Sequence, residues 1–443
     1  MGKLFGTDGV RGIANEKLTP ELAYRLGRAG AYVLCGNKKG GKIVVGKDTR
    51  VSGDMLEAAL AAGICSVGVD VLRVGIIPTA GVAYLTRYLD ADGGVMISAS
   101  HNPVEDNGIK FFDKLGYKLD DSGEEAVEAA VLDKNAEFPR PTGLDVGRVY
   151  QEEALKYYIQ HILGTVSGDF KGLKVVVDCA YGAAWEAAPK VLRELGAEVI
   201  PINCRPDGSR INVGCGATNV EQLRQAVLEY GADVGIAHDG DADRVIAVDE
   251  KGGTVDGDAI MVICGLDMAE KGALRNNAVV VTVMSNLGLE LAFKEAGVSV
   301  YRTPVGDKYV LRKMLELGAS LGGEQSGHII FTDHCTTGDG IVTACKLLSV
   351  VVEKGVPLSE LAGRMKKLPQ KLVNVRVRNK EEALASDELK EAVEAVEREL
   401  GDSGRVLVRP SGTELVIRIM VECPDEELCS EMAGRIAEAV KSL

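Results

Sequence analysis

Four short polar segments of this chain bring together side chains that can carry out group-transfer chemistry. They read SASHNP at 98–103, DGDADR at 239–244, GEQSGH at 323–328 and RPSGTE at 409–414. Between them they supply hydroxyls, alternating carboxylates, imidazoles and guanidinium groups, which can bind phosphate, metal ions and sugars. Each segment also contains residues that favour turns, so an ordinary structural role is the alternative to a functional one.

The second segment places Asp239, Asp241 and Asp243 at alternate positions. On extended backbone the three carboxylates project to one side, where they repel each other unless a cation holds them. A set of oxygen ligands suits Mg²⁺ better than zinc, so the spacing predicts a magnesium site. Two alternatives stay open at this point, namely a solvated acidic turn and an aspartyl-phosphate nucleophile at the head of the loop.

The first segment offers Ser98, Ser100 and His101 after the apolar run GGVMI. A serine nucleophile needs activation, and the GxSxG sequence of the α/β-hydrolases is absent, which argues against that class. The residues alone do not decide between the two serines, and a capping or turn cluster explains the pattern as well. Lys110 in NGIKFF and Arg11 in FGTDGVRG add two cations flanked by apolar residues or glycine.

The third and fourth segments carry groups that suit the two ends of a phosphorylated sugar. A carboxylate and a hydroxyl, Glu324 and Ser326, can bind sugar hydroxyls, whereas His328 is either a site residue or a core histidine. RPSGTE can wrap a phosphate through charge-assisted hydrogen bonds and exposed amides, although a hairpin turn fits the same letters. A predicted metal site, a candidate serine nucleophile and a phosphate-binding segment together predict phosphoryl transfer through a phosphoserine. The candidate phosphate ligands are Arg409, Ser411, Gly412 and Thr413, with Arg418 further along.

A repeated pattern of strands and helices positions the first three segments. Strand–helix–strand units begin at Gly41, Gly172 and Asn277, and each leads to a further strand that ends in one of these segments. Because ligands gather beyond the carboxyl ends of strands in open α/β sheets, the three loops are predicted to share one cleft. The remaining chain, with a charged helix over 380–400, predicts a smaller α+β domain. The predicted domains span 1–150, 151–250, 251–368 and 369–443.

The charge and composition argue against several classes of partner. A formal net charge of −14 disfavours nucleic acid, because phosphate backbones require a basic surface, but a local basic pocket can still bind a phosphorylated small molecule. No apolar run reaches the roughly 18 residues that a membrane span needs, and the N-terminal letters lack a signal peptide. The ten cysteines show no paired spacing, which predicts reduced thiols and a cytoplasmic protein.

In this order, and together with FGTDGVRG near the start, the four segments closely resemble the signature loops of the α-D-phosphohexomutase superfamily. The resemblance covers essentially the whole chain. It implies three related mixed-sheet α/β domains plus a smaller C-terminal α+β domain in a heart-shaped, four-domain molecule. FGTDGVRG and GEQSGH resemble most the bacterial members that convert glucosamine 6-phosphate to glucosamine 1-phosphate, towards UDP-N-acetylglucosamine and cell-wall precursors. The alternative is the same reaction on mannose or glucose phosphates, as in phosphomannomutases and phosphoglucomutases.

The resemblance also implies a role for each candidate residue. Ser100 would be a phosphoserine that passes its phosphoryl group to the sugar and recovers the other one from a bisphosphate. The three aspartates would hold Mg²⁺ with a phosphoserine oxygen, and Arg244 would lie beside that phosphate. Glu324 and Ser326 would bind sugar hydroxyls, while 409–413 and Arg418 would bind the phosphate that is not transferred. The acid–base and electrostatic candidates, whose roles stay undivided, are Arg11, His101, Lys110 and His328.

The partners that follow are a phosphorylated amino sugar and, as in many members of the superfamily, a second copy of the chain in a homodimer. No nucleic acid and no membrane are expected. Two other classes of function stay open, namely a phosphosugar sensor without catalysis and a phosphatase that releases the serine-bound phosphate to water. Intact Ser100 and all three aspartates argue against the sensor.

Overall fold

The structure is a computed structural model that describes residues 4–6, 8–36, 40–410 and 415–441. Four sheets of six, five, four and three strands follow one another along the chain. The first three sheets mix parallel and antiparallel pairs and are interleaved with helices, whereas the last is antiparallel. The predicted fold class, three related α/β domains and a smaller C-terminal α+β domain, is therefore confirmed.

The first domain surrounds a six-stranded sheet. Its elements are β1 (Val10–Ile13), α1 (Pro20–Cys35), β2 (Lys42–Lys47), α2 (Gly53–Cys65), β3 (Asp70–Ile76), α3 (Thr79–Tyr88), β4 (Gly93–Ile97), β5 (Asp106–Asp113), α4 (Asp121–Leu132) and β6 (Val149–Gln151). The strand order is β1-β5-β4-β2-β3-β6. Strand β2 runs parallel to β3 and β4, and β5 returns antiparallel to β4.

The second domain repeats this plan with five strands. Its elements are α5 (Leu155–Leu163), β7 (Lys174–Asp178), α6 (Ala184–Glu194), β8 (Glu198–Ile202), α7 (Glu221–Tyr230), β9 (Val234–His238), β10 (Val245–Asp249) and β11 (Thr254–Val255). The order is β11-β10-β9-β7-β8, with β7 parallel to β8 and β9. The sheet extends to Val255, beyond the boundary that the sequence predicts at residue 250.

The third domain contains the shortest version of the plan. Its elements are α8 (Gly257–Glu270), β12 (Ala278–Thr282), α9 (Leu287–Glu295), β13 (Ser299–Thr303), α10 (Asp307–Leu317), β14 (Leu321–Gly323), β15 (Ile329–Phe331), α11 (Gly340–Lys354) and α12 (Leu358–Ala362). The order is β13-β12-β14-β15, again with a parallel centre and an antiparallel return strand.

The C-terminal domain consists of β16 (Gln370–Arg376), α13 (Lys380–Ala385), α14 (Asp387–Leu400), β17 (Arg405–Pro410), β18 (Val416–Glu422) and α15 (Glu426–Lys441), with strand order β16-β18-β17. The single charged helix predicted over 380–400 is wrong, because two helices occupy that stretch. Ser386 has extended backbone between them, and its hydroxyl accepts a hydrogen bond from the amide of Leu389 at 3.2 Å. This N-cap starts the second helix and ends the first.

A central hairpin in each α/β domain presents one of the predicted segments. The strands β4, β9 and β14 end at Ile97, His238 and Gly323, where those segments begin, and β5, β10 and β15 return antiparallel. All three leading strands are buried along their length. In β4 this follows because Met96 packs into one apolar cluster and Val95 into another on the opposite face. Three polar loops thus leave equivalent positions of three sheets.

The cores show how the domains are joined. One continuous cluster of buried apolar side chains includes Met96, Tyr158 and Val281, and so runs through all three α/β domains. The C-terminal domain has a separate core. Arg405 attaches it to the third domain by donating hydrogen bonds to the carbonyl oxygens of Val283 at 3.1 Å and Ser285 at 3.0 Å.

Two further expectations concern the cysteines and the membrane. The sulfur atoms of Cys423 and Cys429 approach each other within the C-terminal domain, at the end of β18 and in the first turn of α15. The reduced state of the ten thiols stays a prediction. None of the helices in the described ranges is long and apolar enough to cross a membrane.

Candidate active site

The three hairpin loops converge on a cleft of about 350 Å³. Its walls combine residues from the start of the chain with the loops of all three α/β domains. Six predicted site residues line it, namely Arg11, His101, Asp243, Arg244, Glu324 and His328. This arrangement is consistent with the prediction that the three loops lie together. The role of each residue stays a prediction.

The two serines of the first loop occupy different environments. The Ser100 hydroxyl donates to Asp239 Oδ2 at 2.6 Å and lies 3.4 Å from His101 Nδ1. The Ser98 hydroxyl instead donates to Asp48 Oδ2 at 2.6 Å and accepts the backbone amide of Ser100 at 2.9 Å. Ser100 therefore faces the aspartates, while Ser98 supports the loop from within the first domain.

The three aspartates of the second loop form a buried oxygen cluster. Each offers one carboxylate oxygen, and these oxygens lie within 4.8 Å of one another. The Oδ1 atoms of Asp241 and Asp243 are buried without a hydrogen-bond partner among the described residues. Burial, and then the charges of Asp243 and Asp241, raise the pKa of Asp239 well above its usual value. Orphaned oxygens and mutual repulsion are what a divalent cation would relieve, so these residues fit a metal site.

A glycine lets the second loop approach the first. A Cβ atom at Gly240 would lie 2.6 Å from the carbonyl oxygen of Ser100 and 2.9 Å from Asn212 Nδ2. Neither distance is compatible with a side chain, so only glycine allows the aspartate loop to pass this close to the serine.

Lys110 supplies positive charge beneath the cluster. Its Nζ atom lies 2.9 Å from Asp241 Oδ2, 3.0 Å from Asp8 Oδ2 and 3.8 Å from Asp243 Oδ2. Burial acts to lower the pKa of this lysine, but the charges of Asp241 and Asp8 outweigh it and raise the pKa above its ordinary value. The ammonium group therefore stays charged and offsets part of the buried negative charge.

The two histidines of the cleft differ in their protonation. Burial, with the charges of Arg244 and Arg11, lowers the pKa of His101 to about 4, so its ring is neutral at pH 7. Arg244 Nη1 lies 3.0 Å from His101 Nδ1. For His328, the charges of Asp243 and Asp307 outweigh burial and raise the pKa. The amide of Gly338 donates to His328 Nε2 at 3.1 Å, which places the proton of the neutral ring on Nδ1, 3.5 Å from Asp243 Oδ2.

The predicted sugar-binding pair lies at the other side of the cleft. Glu324 accepts the amide of Gly306 at 3.1 Å through Oε1, and the hydroxyl of Ser326 lies 3.4 Å from Glu324 Oε2. Glu324 lines the cavity, whereas Ser326 is exposed beside it. The carboxylate is thus held by its own loop and by the loop before α10.

The predicted phosphate anchor is in the C-terminal domain. Arg409 on β17 pairs in register with Arg418 on β18, and burial with the charge of Arg418 lowers the pKa of Arg409. Neither arginine lines the cleft. The remaining anchor residues, Ser411, Gly412 and Thr413, lie outside the described residues.

Three charged residues of the cleft, Asp8, Lys118 and Asp307, are not among the site residues that the sequence predicts. Lys118 forms ion pairs with Asp8, at 2.7 Å, and with Asp307. Burial acts to lower the pKa of Lys118, but these two carboxylates raise it. Asp8 could have been found, because it stands inside FGTDGVRG, two residues after Gly6. Lys118 and Asp307 belong to no recognisable motif, and the fold alone brings them together.

Comparison with known sequences places this architecture in a family. Models of the phosphoglucomutase/phosphomannomutase family match α/β/α domain I at residues 2–137, domain II at 156–253, domain III at 256–368 and the C-terminal domain at 372–439. These matches span most of the chain. The protein belongs to the phosphoglucomutase/phosphomannomutase family.

Two sequence relatives and one solved structure show which members of the family the chain resembles. The chain is 58% identical to the phosphoglucosamine mutase of Desulforamulus reducens and 59% identical to that of Carboxydothermus hydrogenoformans, each over 444 residues. Each alignment with these two proteins covers 100% of both chains. A solved phosphoglucomutase/phosphomannomutase family protein from Burkholderia thailandensis has a TM-score of 0.84 at 23% identity, covering 98% of this chain and 97% of its own. That last likeness concerns the fold alone.

Binding of a divalent cation to the aspartate cluster should stabilise the protein. With Mg²⁺ as the probe, a concentration 100 times its Kd should raise the free energy of unfolding by about 2.7 kcal/mol. Asp241→Asn should lose most of this gain, because one ligand charge is removed. Thermal unfolding with and without Mg²⁺ measures both. Asp387→Asn, at an exposed carboxylate of the C-terminal domain, should keep the full gain. An equal gain in Asp241→Asn would place the cation elsewhere.

Proposed function

We propose that this protein interconverts glucosamine 6-phosphate and glucosamine 1-phosphate by phosphoryl transfer through Ser100. The observation that carries the proposal is the buried Ser100 hydroxyl, 2.6 Å from Asp239 at the head of a three-aspartate cluster. The relatives that match over their full length at 58% and 59% identity are phosphoglucosamine mutases, which supports the amino sugar over mannose or glucose phosphates.

The reaction begins with a phosphoryl group on Ser100. A hydroxyl oxygen of the bound sugar phosphate attacks this phosphorus, its proton leaves to a base, and the bond from phosphorus to Ser100 Oγ breaks. The product is a sugar bisphosphate and a free serine oxygen. After the bisphosphate has turned over in the cleft, that serine oxygen attacks the phosphorus of the other phosphate. The bond from this phosphorus to the sugar oxygen breaks, and the base returns its proton to the sugar oxygen, so that Ser100 again carries a phosphoryl group. No phosphate is lost to water, so the net reaction is an isomerisation.

Three cations remain charged while this happens. The pKa of Arg11, Lys110 and Arg244 is raised in each case because nearby carboxylates outweigh the effect of burial. Arg11 also donates to Ala99 O at 3.3 Å, which places it against the serine loop, the segment 98–106 that carries Ser100. We assign these three residues to stabilising the charge of the transferring phosphoryl group. Of the two histidines, the pKa of His101 is lowered to about 4 whereas that of His328 is raised by Asp243 and Asp307, so His328 is the proposed proton carrier.

The proposed metal is Mg²⁺, held by Asp239, Asp241, Asp243 and an oxygen of the phosphoserine. The choice follows from the donor set, which is entirely carboxylate and phosphate oxygen. When bound, Mg²⁺ supplies positive charge that neutralises the transferring phosphoryl group. The aspartates orient that charge towards Ser100, because the Ser100 hydroxyl already lies within hydrogen-bond distance of Asp239.

The rest of the substrate has a proposed site at each end. Glu324 and Ser326 would bind sugar hydroxyls, and Arg409, Arg418 and the 411–413 backbone and hydroxyls would bind the phosphate that stays on the sugar. The two arginines lie in a domain with its own core, so that domain can adjust to both orientations of a bisphosphate.

Removing the Ser100 hydroxyl should abolish the reaction. We expect wild-type protein to carry a phosphoryl group and Ser100→Ala to lack it, with kcat/KM lower by at least about 10³-fold because the acceptor atom is gone. Intact mass spectrometry and turnover of glucosamine 6-phosphate measure the two effects. Ser122→Ala, at an exposed serine of α4, should behave as wild type. Undiminished turnover in Ser100→Ala would exclude the phosphoserine route.

The identity of the sugar is tested by competition between substrates. Glucosamine 6-phosphate should turn over with a higher kcat/KM than mannose 6-phosphate or glucose 6-phosphate. The cleft must form hydrogen bonds with the amine or hydroxyl group that distinguishes these sugars. The kcat/KM values should therefore differ by at least about tenfold. Higher turnover of mannose or glucose phosphate would make the protein a phosphomannomutase or phosphoglucomutase instead.

A further inference from the structure

Arg50 is a buried arginine in the loop after β2, and only 2% of its surface is exposed. A guanidinium group has five N–H donors, and all five are used here. Nε donates to Asp48 Oδ2 at 3.0 Å. The other four donate to backbone carbonyl oxygens of the serine loop, namely Ser100 at 2.9 Å, Asn102 at 2.8 Å, Asp106 at 2.9 Å and Pro103.

Asp48 connects this guanidinium to the nucleophile by a second route. The same Oδ2 atom that accepts from Arg50 also accepts the hydroxyl of Ser98 at 2.6 Å. The Ser98 oxygen in turn accepts the backbone amide of Ser100 at 2.9 Å. Arg50 therefore fixes the carbonyl of Ser100 directly and its amide through Asp48 and Ser98.

The backbone that these contacts hold is one that a serine does not adopt readily. Ser100 has a φ of 53°, in the left-handed region that favours glycine. Such a conformation persists only where the surroundings impose it. Arg50 binds the carbonyl of Ser100 and carbonyls that follow it in the loop, and Asn212 Nδ2 from the second domain donates a hydrogen bond to Ser100 O at 2.9 Å. Together they set the direction in which the Ser100 side chain leaves the loop.

Arg50 has no free donor with which to bind the substrate. Every N–H is directed at the carboxylate or at a carbonyl, and the side chains of Arg50 and Asp48 are fully buried. A phosphate contact would require breaking one of these bonds. The role of this arginine is therefore to hold the loop and not to bind phosphate. Lysine cannot replace it, because an ammonium group has three donors and no planar fork.

We propose that Arg50, with Asp48 and Ser98, is the positioning residue that aims Ser100 Oγ at the aspartate cluster. This inference rests on the proposed function, since it assumes that Ser100 carries the phosphoryl group. A loop that has lost part of this support keeps the substrate-binding residues in place but misdirects the nucleophile. The loss should fall on kcat and leave KM nearly unchanged.

The test compares Arg50→Lys with Arg73→Lys, a matched exchange at an arginine of the same domain that pairs with Glu57 outside the cleft. With glucosamine 6-phosphate, Arg50→Lys should lower kcat about 10- to 100-fold with KM within about twofold. The ³¹P resonance of the phosphoserine should shift in the same variant. Arg73→Lys should match wild type in all three measurements.

Ser98→Ala guards against failure of Arg50→Lys to fold, because it removes only the hydroxyl between Asp48 and the Ser100 amide. It should lower kcat about 5- to 20-fold, again without a change in KM. A folded Arg50→Lys with wild-type kcat and ³¹P shift would overturn the inference, and so would wild-type values in Ser98→Ala if Arg50→Lys does not fold. Full activity in Ser100→Ala would instead overturn the proposed function itself, so the two failures are distinguishable.

Discussion

Buried negative charge next to a serine hydroxyl is the constraint on which the cleft depends. Asp239, Asp241 and Asp243 lie within a few ångströms of one another, where water cannot screen their repulsion. Lys110 offsets part of this charge, and orphaned oxygens leave room for a cation. A phosphoryl group on Ser100 would add about −1.5 to −2 charges. The proposed Mg²⁺ and the phosphoserine therefore require each other.

The fold meets this constraint by using the same strand end three times. Each α/β domain contributes the turn of a buried central hairpin, and one continuous core holds the three domains together. Close approach of two turns needs Gly240, and the left-handed turn at Ser100 needs Arg50. The separate core of the C-terminal domain allows the proposed phosphate anchor to be carried on a part of the chain that packs independently.

Sequence patterns predict those features of the fold that follow from the order of strands, helices and turns along the chain. Apolar runs ending in polar turns predicted the domain class and the convergence of three loops, both of which the structure contains. Patterns did not predict Lys118, Asp307 or Arg50, because their partners lie far away in the sequence and only folding brings them together. The composition of 380–400 predicts one helix, but the structure has two, because the N-cap at Ser386 interrupts the helical stretch. The domain boundaries, the homodimer and the cytoplasmic location stay predictions.

The central claim is that the phosphoryl group on Ser100 passes to the sugar and not to water. The most direct test uses protein that carries a ³²P-labelled phosphoserine. This protein is mixed with excess unlabelled glucosamine 6-phosphate, and the reaction is quenched at times within the first turnover. The label should leave the protein and appear in glucosamine bisphosphate and then in the monophosphates, at the rate of the overall reaction. Release of the label as inorganic phosphate, or its retention on the protein while substrate turns over, would contradict the account.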